Sequence, residues 1–117
     1  MPSHRATGNN EEQFAASFLE QQGMVVLDRN FVFNHGEIDI VARDGNELVF
    51  VEVKARRSEK FGSPEEAVTP AKQALLRRTA EGYVREKDLY GIPCRFDVVA
   101  ILMEPGGRKV VHYRNAF

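Results

Sequence analysis

Two short stretches of the chain carry the residue types that could do hydrolytic chemistry. Gly36-Glu37-Ile38-Asp39 sets two carboxylates two residues apart, and Val51-Glu52-Val53-Lys54 sets a carboxylate and an ammonium two apart. In a strand, residues i and i+2 point to the same face, so each pair projects together. Like charges grouped on one face raise one another's pKa or recruit a cation. A hard divalent ion such as Mg²⁺ or Mn²⁺ takes one or two carboxylates plus water. Lys54, a compact charge on a flexible stem, stands at the rim of the group. Such a set could bind a metal, polarise a phosphate and lower the pKa of an attacking water. On spacing alone, a solvated strand face on which Glu and Lys merely pair is an equally open reading.

Whether the carboxylates meet depends on the turn between the two stretches. Residues 37–43 alternate, with Glu37, Asp39 and Val41 on one face and Ile38, Ile40 and Ala42 on the other, and residues 47–55 form the returning strand. Asp44-Gly45 is a strong hairpin signal. With those two residues as the loop, Arg43 faces Asn46, Asp39 faces Phe50 and Glu37 faces Glu52. Glu37, Asp39, Glu52 and Lys54 then share a face, and Asp39 lies diagonal to Glu52, ~7–8 Å away. A three-residue loop would set Asp39 and Glu52 on opposite faces. His35 would lie opposite Lys54 in this register and reads as a polar turn residue.

The surrounding pattern supplies elements to hold these strands. Asn9 or Asn10 caps a first helix with Glu11 and Glu12 in its first turn; Phe14, Ala15, Phe18 and Leu19 recur at helical spacing, and Gly23 stops it. Residues 24–33 read as a strand. Residues 56–62 read as a polar loop. Ser63-Pro64 and Thr69-Pro70 both read as helix starts, and a helix follows to about Lys87 with Ala71, Ala74, Leu75, Leu76, Tyr83 and Val84 as its apolar stripe. Gly91-Ile92-Pro93 breaks it. Residues 95–102 form a buried strand, Pro105-Gly106-Gly107 a turn, and residues 109–113 a last strand. The order α-β-β-β-α-β-β predicts one α/β domain over residues 1–117, a mixed central sheet flanked by helices, with residues 1–8 flexible.

Size and composition agree. The chain has 117 residues with 43% hydrophobic and 28% charged, enough for one core and too apolar for disorder. No run approaches the ~20 apolar residues of a membrane span, and the opening residues do not read as a signal peptide. The lone Cys94 leaves no internal disulfide and fits a reducing cytoplasm. His4, His35 and His112 show no zinc spacing. The net charge of −1 argues against a nucleic-acid partner until it is divided. Residues 1–53 hold three basic side chains against nine acidic ones, and residues 54–117 hold thirteen against eight. The sign changes at Lys54. Arg56, Arg57, Lys60 and Lys72 follow the carboxylates as candidate phosphate contacts; Arg77 and Arg78, taken singly, read as a solvated helix face.

An acidic residue followed by a hydrophobic strand bearing Glu-x-Lys resembles the signature of the PD-(D/E)xK nuclease superfamily. The whole chain resembles the YraN-like family, small proteins classed as endonucleases by resemblance and similar to archaeal Holliday-junction resolvases. The likeness runs from Gly8 through Glu12, Leu19, Gly23 and Arg29-Asn30, across both motifs, to Arg95-Phe96-Asp97-Val98-Val99 and Asn115-Ala116-Phe117. It implies a restriction-endonuclease-like fold and a Mg²⁺- or Mn²⁺-dependent endonuclease acting on DNA, branched or single-stranded. It further implies Asp39 and Glu52 as metal ligands with the Val53 carbonyl, Glu12 reaching back from the first helix, Glu37 behind them, and Lys54 acting on the nucleophile or the developing charge. Glu11 departs from the family, which has glycine before that glutamate. The resolvase-like relatives are dimers, which suggests a homodimer here, with the Val110-Val111 strand as an edge open to pairing. The alternative is a nucleic-acid-binding or partner-docking module on a nuclease scaffold with little or no catalysis.

Overall fold

The structure, a computed structural model, describes residues 3–57 and 68–117. Lys60 and the Ser63-Pro64 helix start lie outside the described residues. The element order is α1 (Ser3–Gln21), β1 (Val25–Phe33), β2 (Gly36–Asp44), β3 (Glu47–Arg56), α2 (Pro70–Lys87), β4 (Cys94–Glu104) and β5 (Gly107–Tyr113). This is the expected α-β-β-β-α-β-β order. One five-stranded sheet runs β1-β2-β3-β4-β5. Its β3–β4 pair is parallel and the other pairs are antiparallel. A parallel pair needs a crossover, and the segment carrying α2 makes it.

Each face of the sheet is covered by one helix. Ala15, Ala16 and Leu19 of α1 pack on Ile40, Ala42, Val49, Val51, Val99 and Ile101. Leu76, Ala80 and Tyr83 of α2 pack on Ile38, Val41, Leu48, Phe50, Phe96 and Val98. The central strands β3 and β4 are buried on both faces, which explains their nearly continuous apolar sequence.

Three expectations change. Helix α1 begins at Ser3, so Glu11 and Glu12 sit in its middle and not in a capped first turn. Gly8, Asn9 and Asn10 are weak helix formers, but each costs only about 1 kcal/mol or less, too little to stop a helix. The buried stripe of α2 is Leu76, Thr79, Ala80, Gly82 and Tyr83, whereas Ala71 and Ala74 are exposed. Thr79 and Gly82 are buried because β1 and β2 approach so closely: a Cβ on Gly82 would lie 2.4 Å from the Phe33 ring. Thr69 does cap α2, its side chain accepting from the Lys72 N–H, with Pro70 in the first turn, and Asp88 closes the helix in the left-handed region.

The third change is the hairpin. Asp44 pairs with Glu47, Arg43 with Leu48 and Val41 with Phe50, so the loop is Gly45-Asn46 and not Asp44-Gly45. The cause is tertiary. Arg95 on β4 donates to Glu47 Oε1 at 2.8 Å and lies 3.0 Å from Asp44 Oδ2. Two acids opposite each other would repel, and this guanidinium holds them as a closing pair. Moving the loop by one residue moves the pairing by two, so the parity of the faces survives. His35 consequently lies in the Asn34-His35 turn between β1 and β2, not opposite Lys54.

Candidate functional site

Strands β2 and β3 part company at Asp39. Their pairing runs from Asp44↔Glu47 to Ile40↔Val51 and goes no further, although Asp39 and Glu52 would be the next partners. The Val53 N–H donates to Asp39 Oδ2 at 2.8 Å in place of a strand carbonyl. On the other side, β1 pairs through Arg29↔Ile40 and Phe31↔Ile38 while skipping Asn30, which has φ 55°. Asn is among the few residues that occupy the left-handed region readily.

The consequence is a change of face. Ile38 belongs to the core under α2 and Ile40 to the core under α1, though they are two residues apart. Regular alternation would put them together, so the alternation expected from Glu37 through Asp39 to Val41 is broken. Glu52, between Phe50 and Lys54 on β3, is reached by Lys72 from α2, while Glu12 comes from α1 on the other side.

Asp39 feels all of them. Burial and the charge of Glu52 push its carboxyl up, Glu12 and Glu37 add to this, and the Val53 N–H opposes it; the result is about 7. Glu52 is buried. Its Oε2 lies 3.1 Å from Lys72 Nζ and 3.5 Å from Lys54 Nζ. Glu12 Oε1 accepts from Asn30 Nδ2 and lies 3.7 Å from Arg29, so the left-handed Asn30 also tethers the acid of α1. Glu37 is exposed, and Arg56 and Arg57 lie at the end of β3, half-buried and exposed respectively. Lys72, expected as a flanking phosphate contact, reaches the centre of the site through Glu52.

Sequence reasoning passed over Asn30 and Arg29 as supports of Glu12. An asparagine inside a β-branched, aromatic run was the available signal. It also left unassigned the buried group of β4, where Arg95, His112 and the Asn115 N–H all bond to Asp97.

The donor set suits a hard cation. Asp39, Glu52 and Glu12 are oxygen donors, and the Asp39 carboxyl is crowded by negative charge with only the Val53 N–H as a hydrogen-bond partner among the described residues. No group of three or more His, Cys, Asp or Glu side chains is already gathered tightly enough to hold a metal, among the described residues. Two carboxylates with a main-chain carbonyl and water suffice for Mg²⁺.

Comparison with known proteins gives a consistent relationship. The profile of an uncharacterised protein family, UPF0102, matches residues 11–101. A UPF0102 protein of Pelobacter propionicus is 49% identical over 119 residues, covering 99% of this chain and 85% of its own. One of Symbiobacterium thermophilum is 49% identical over 97% of both chains. One of Rhodococcus opacus is 42% identical over the full length of both.

Proposed function

The chain belongs to the UPF0102 family, whose description carries no activity, and from that premise we propose that it is a Mg²⁺- or Mn²⁺-dependent endonuclease of restriction-endonuclease-like fold, hydrolysing phosphodiester bonds in DNA. The observation that carries this reading is the Asp39 carboxyl, set at the parting of two central strands with Glu52 on one side and Glu12 on the other. Asp97, the fully buried carboxylate on β4, is by contrast paired with a guanidinium and an imidazole. A cluster of acids sharing one spot implies a cation as its complement.

Asp39, Glu52 and the Val53 carbonyl would hold the ion, with Glu12 able to contribute through water. When bound, it supplies charge to the phosphate and acidifies water. The chain's own groups do the rest. The Val53 N–H fixes the Asp39 carboxylate in position. Glu52 lies between the two ammonium groups of Lys54 and Lys72 and orients both. Lys54, at the strand edge beside Glu52, faces the charge that develops on the phosphate oxygens and can hold the attacking water by hydrogen bond. Arg56, Arg57 and Lys60 continue the chain beyond it as backbone phosphate contacts.

The test is cleavage of duplex, flap, junction and single-stranded DNA with Mn²⁺ and with EDTA. Metal-dependent cleavage is expected, falling by a hundredfold or more in Lys54→Ala, the scale of losing one transition-state donor. Lys54→Ala is expected to keep its Mn²⁺ affinity and Asp39→Asn to lose it, both by calorimetry. Equal cutting by these variants and wild type would sink the catalytic reading.

One observation favours the alternative, a DNA-binding module without catalysis. The ammonium groups of Lys54 and Lys72 already neutralise Glu52, so half of the donor set is satisfied without an ion. That reading requires salt-dependent DNA binding that Asp39→Asn leaves intact or strengthens, and no turnover.

A further inference from the structure

The largest unexplained aromatic surface lies on the same face of the sheet as Glu52, beyond the middle of α2. Tyr90 is 65% exposed. It stands over a cleft of about 460 Å³ floored by Val84 and Phe96 and bordered by Arg77 and Arg85, within the size range of ligand pockets. The cleft is apolar inside, and its rim carries the Arg77 guanidinium and the Glu81 carboxylate, while the Arg85 guanidinium lies over the Phe33 ring at 5.9 Å.

Its parts are held in place. Arg77 lies over the Phe96 ring at 4.9 Å and over Phe117 at 5.6 Å, so its guanidinium is pinned at the edge by stacking. Tyr90 follows a closed helix end: the Asp88 N–H donates to the Arg85 carbonyl and the Leu89 N–H to the Val84 carbonyl. Gly91, at φ 85°, then turns the chain into β4. Nothing in the packing of the core requires an aromatic residue at this exposed position.

Position ties the cleft to the carboxylates. Phe96 pairs with Phe50 and Val98 with Glu52, so the floor lies two residues, ~7 Å, along β4 from the level of Glu52. Helix α2 spans the same interval. Lys72 reaches Glu52, and Arg77 is five residues further, ~7.5 Å along the axis. A strand with its phosphate near Lys54 and Lys72 would reach the cleft with a neighbouring nucleotide.

We propose that this cleft is a subsite for an unpaired nucleotide, with Tyr90 stacking on the base and Arg77 facing the adjoining phosphate; its distance from the cut bond rests on the nuclease reading above. An exposed ring beside a fixed cation is the chemistry that holds single strands without reading sequence. Bases stacked in a duplex cannot offer a face to Tyr90, so the subsite selects DNA that is single-stranded, frayed or branched.

The test needs no cleavage. Fluorescence anisotropy of the full chain in EDTA compares a labelled single strand of about 12 nucleotides, within the usual span of such sites, with a blunt duplex of the same sequence. Tyr90→Ala is expected to weaken single-strand binding about fivefold or more while leaving duplex binding unchanged, and Tyr90→Phe to restore it. Tyr90 is exposed, so both variants should fold; thermal melts check this. Unchanged single-strand affinity in Tyr90→Ala overturns the proposal, as does an equal loss for both probes. A shift from dimer to monomer by sedimentation in Tyr90→Ala also overturns it, because the cleft then belongs to a second copy. A selective single-strand loss in a protein that cuts nothing with Mn²⁺ supports the subsite and rejects the nuclease reading.

Discussion

Asp39 concentrates the conflict from which this site is made. A carboxyl raised from 3.8 to about 7 is protonated in the folded chain over a pH range where the unfolded chain has lost its proton. Stability from this group is therefore full below about pH 4 and is lost as pH rises towards 7. We expect thermal melts in EDTA to show that loss between pH 4 and 7, and Asp39→Asn to remove it. Asparagine retains an oxygen for the Val53 N–H and carries no charge, so at pH 8 in EDTA the variant should melt several degrees above wild type. With Mn²⁺ the order should reverse, because wild type alone gains the ion. A wild-type melting temperature that is flat from pH 4 to 7 in EDTA would contradict the buried, crowded carboxyl.

At the scale of elements, β1, β2 and α2 form a tightly fitted unit behind the site. A Cβ on Gly36 would lie 1.9 Å from Thr79 Oγ1, and one on Gly82 would lie 2.4 Å from the Phe33 ring. Gly82→Ala should destabilise the protein by about 1–3 kcal/mol, the usual cost of overpacking. Gly36→Ala should do the same and be partly rescued by Thr79→Ala, which removes the offending oxygen. Both effects are measured by urea unfolding, and additive losses in the double variant would exclude the close approach. Helix α2 also sets the charge at Glu52. Lys72→Gln removes one of its two ammonium neighbours and should raise Mn²⁺ affinity by up to about fivefold, the ~1 kcal/mol scale of a partly exposed pair.

At the scale of the whole molecule, two acids are perturbed in opposite directions. Asp97, fully buried, is below the ordinary carboxylate range: burial alone would raise it, but His112, Arg95 and the Asn115 N–H outweigh that. Its contribution is present above about pH 4 and lost as pH falls further. Taken with Asp39, metal-free protein should be most stable on the acid side, near pH 5, and Mn²⁺ should move that optimum above 7. Arg95 ties Asp97 to the hairpin closed by Asp44 and Glu47. Arg95→Met should cost about 3–5 kcal/mol, because it strands a buried charge, and it should free the hairpin to shift its loop, visible by hydrogen exchange at Gly45 and Asn46.

Much of this was legible in the sequence, because it depends on local pattern. The element order, the Thr69-Pro70 helix start and the buried β4 follow from periodicity and caps that neighbours in the chain impose on one another. The candidate set of Asp39, Glu52 and Lys54 was named from residue type, spacing and family resemblance, with a solvated strand face left open on spacing alone. The meeting of the carboxylates was decided only by tertiary structure. Arg95, 48 residues beyond Glu47, moved the loop to Gly45-Asn46. Asn30, on a neighbouring strand, accompanies the change of face at Asp39 and tethers Glu12 of the preceding helix, 18 residues earlier in the chain. The crossover brought Lys72 to Glu52 and laid Arg77 beside Phe96. Alternation is a property of one strand; the opening between two strands is a property of everything packed against them.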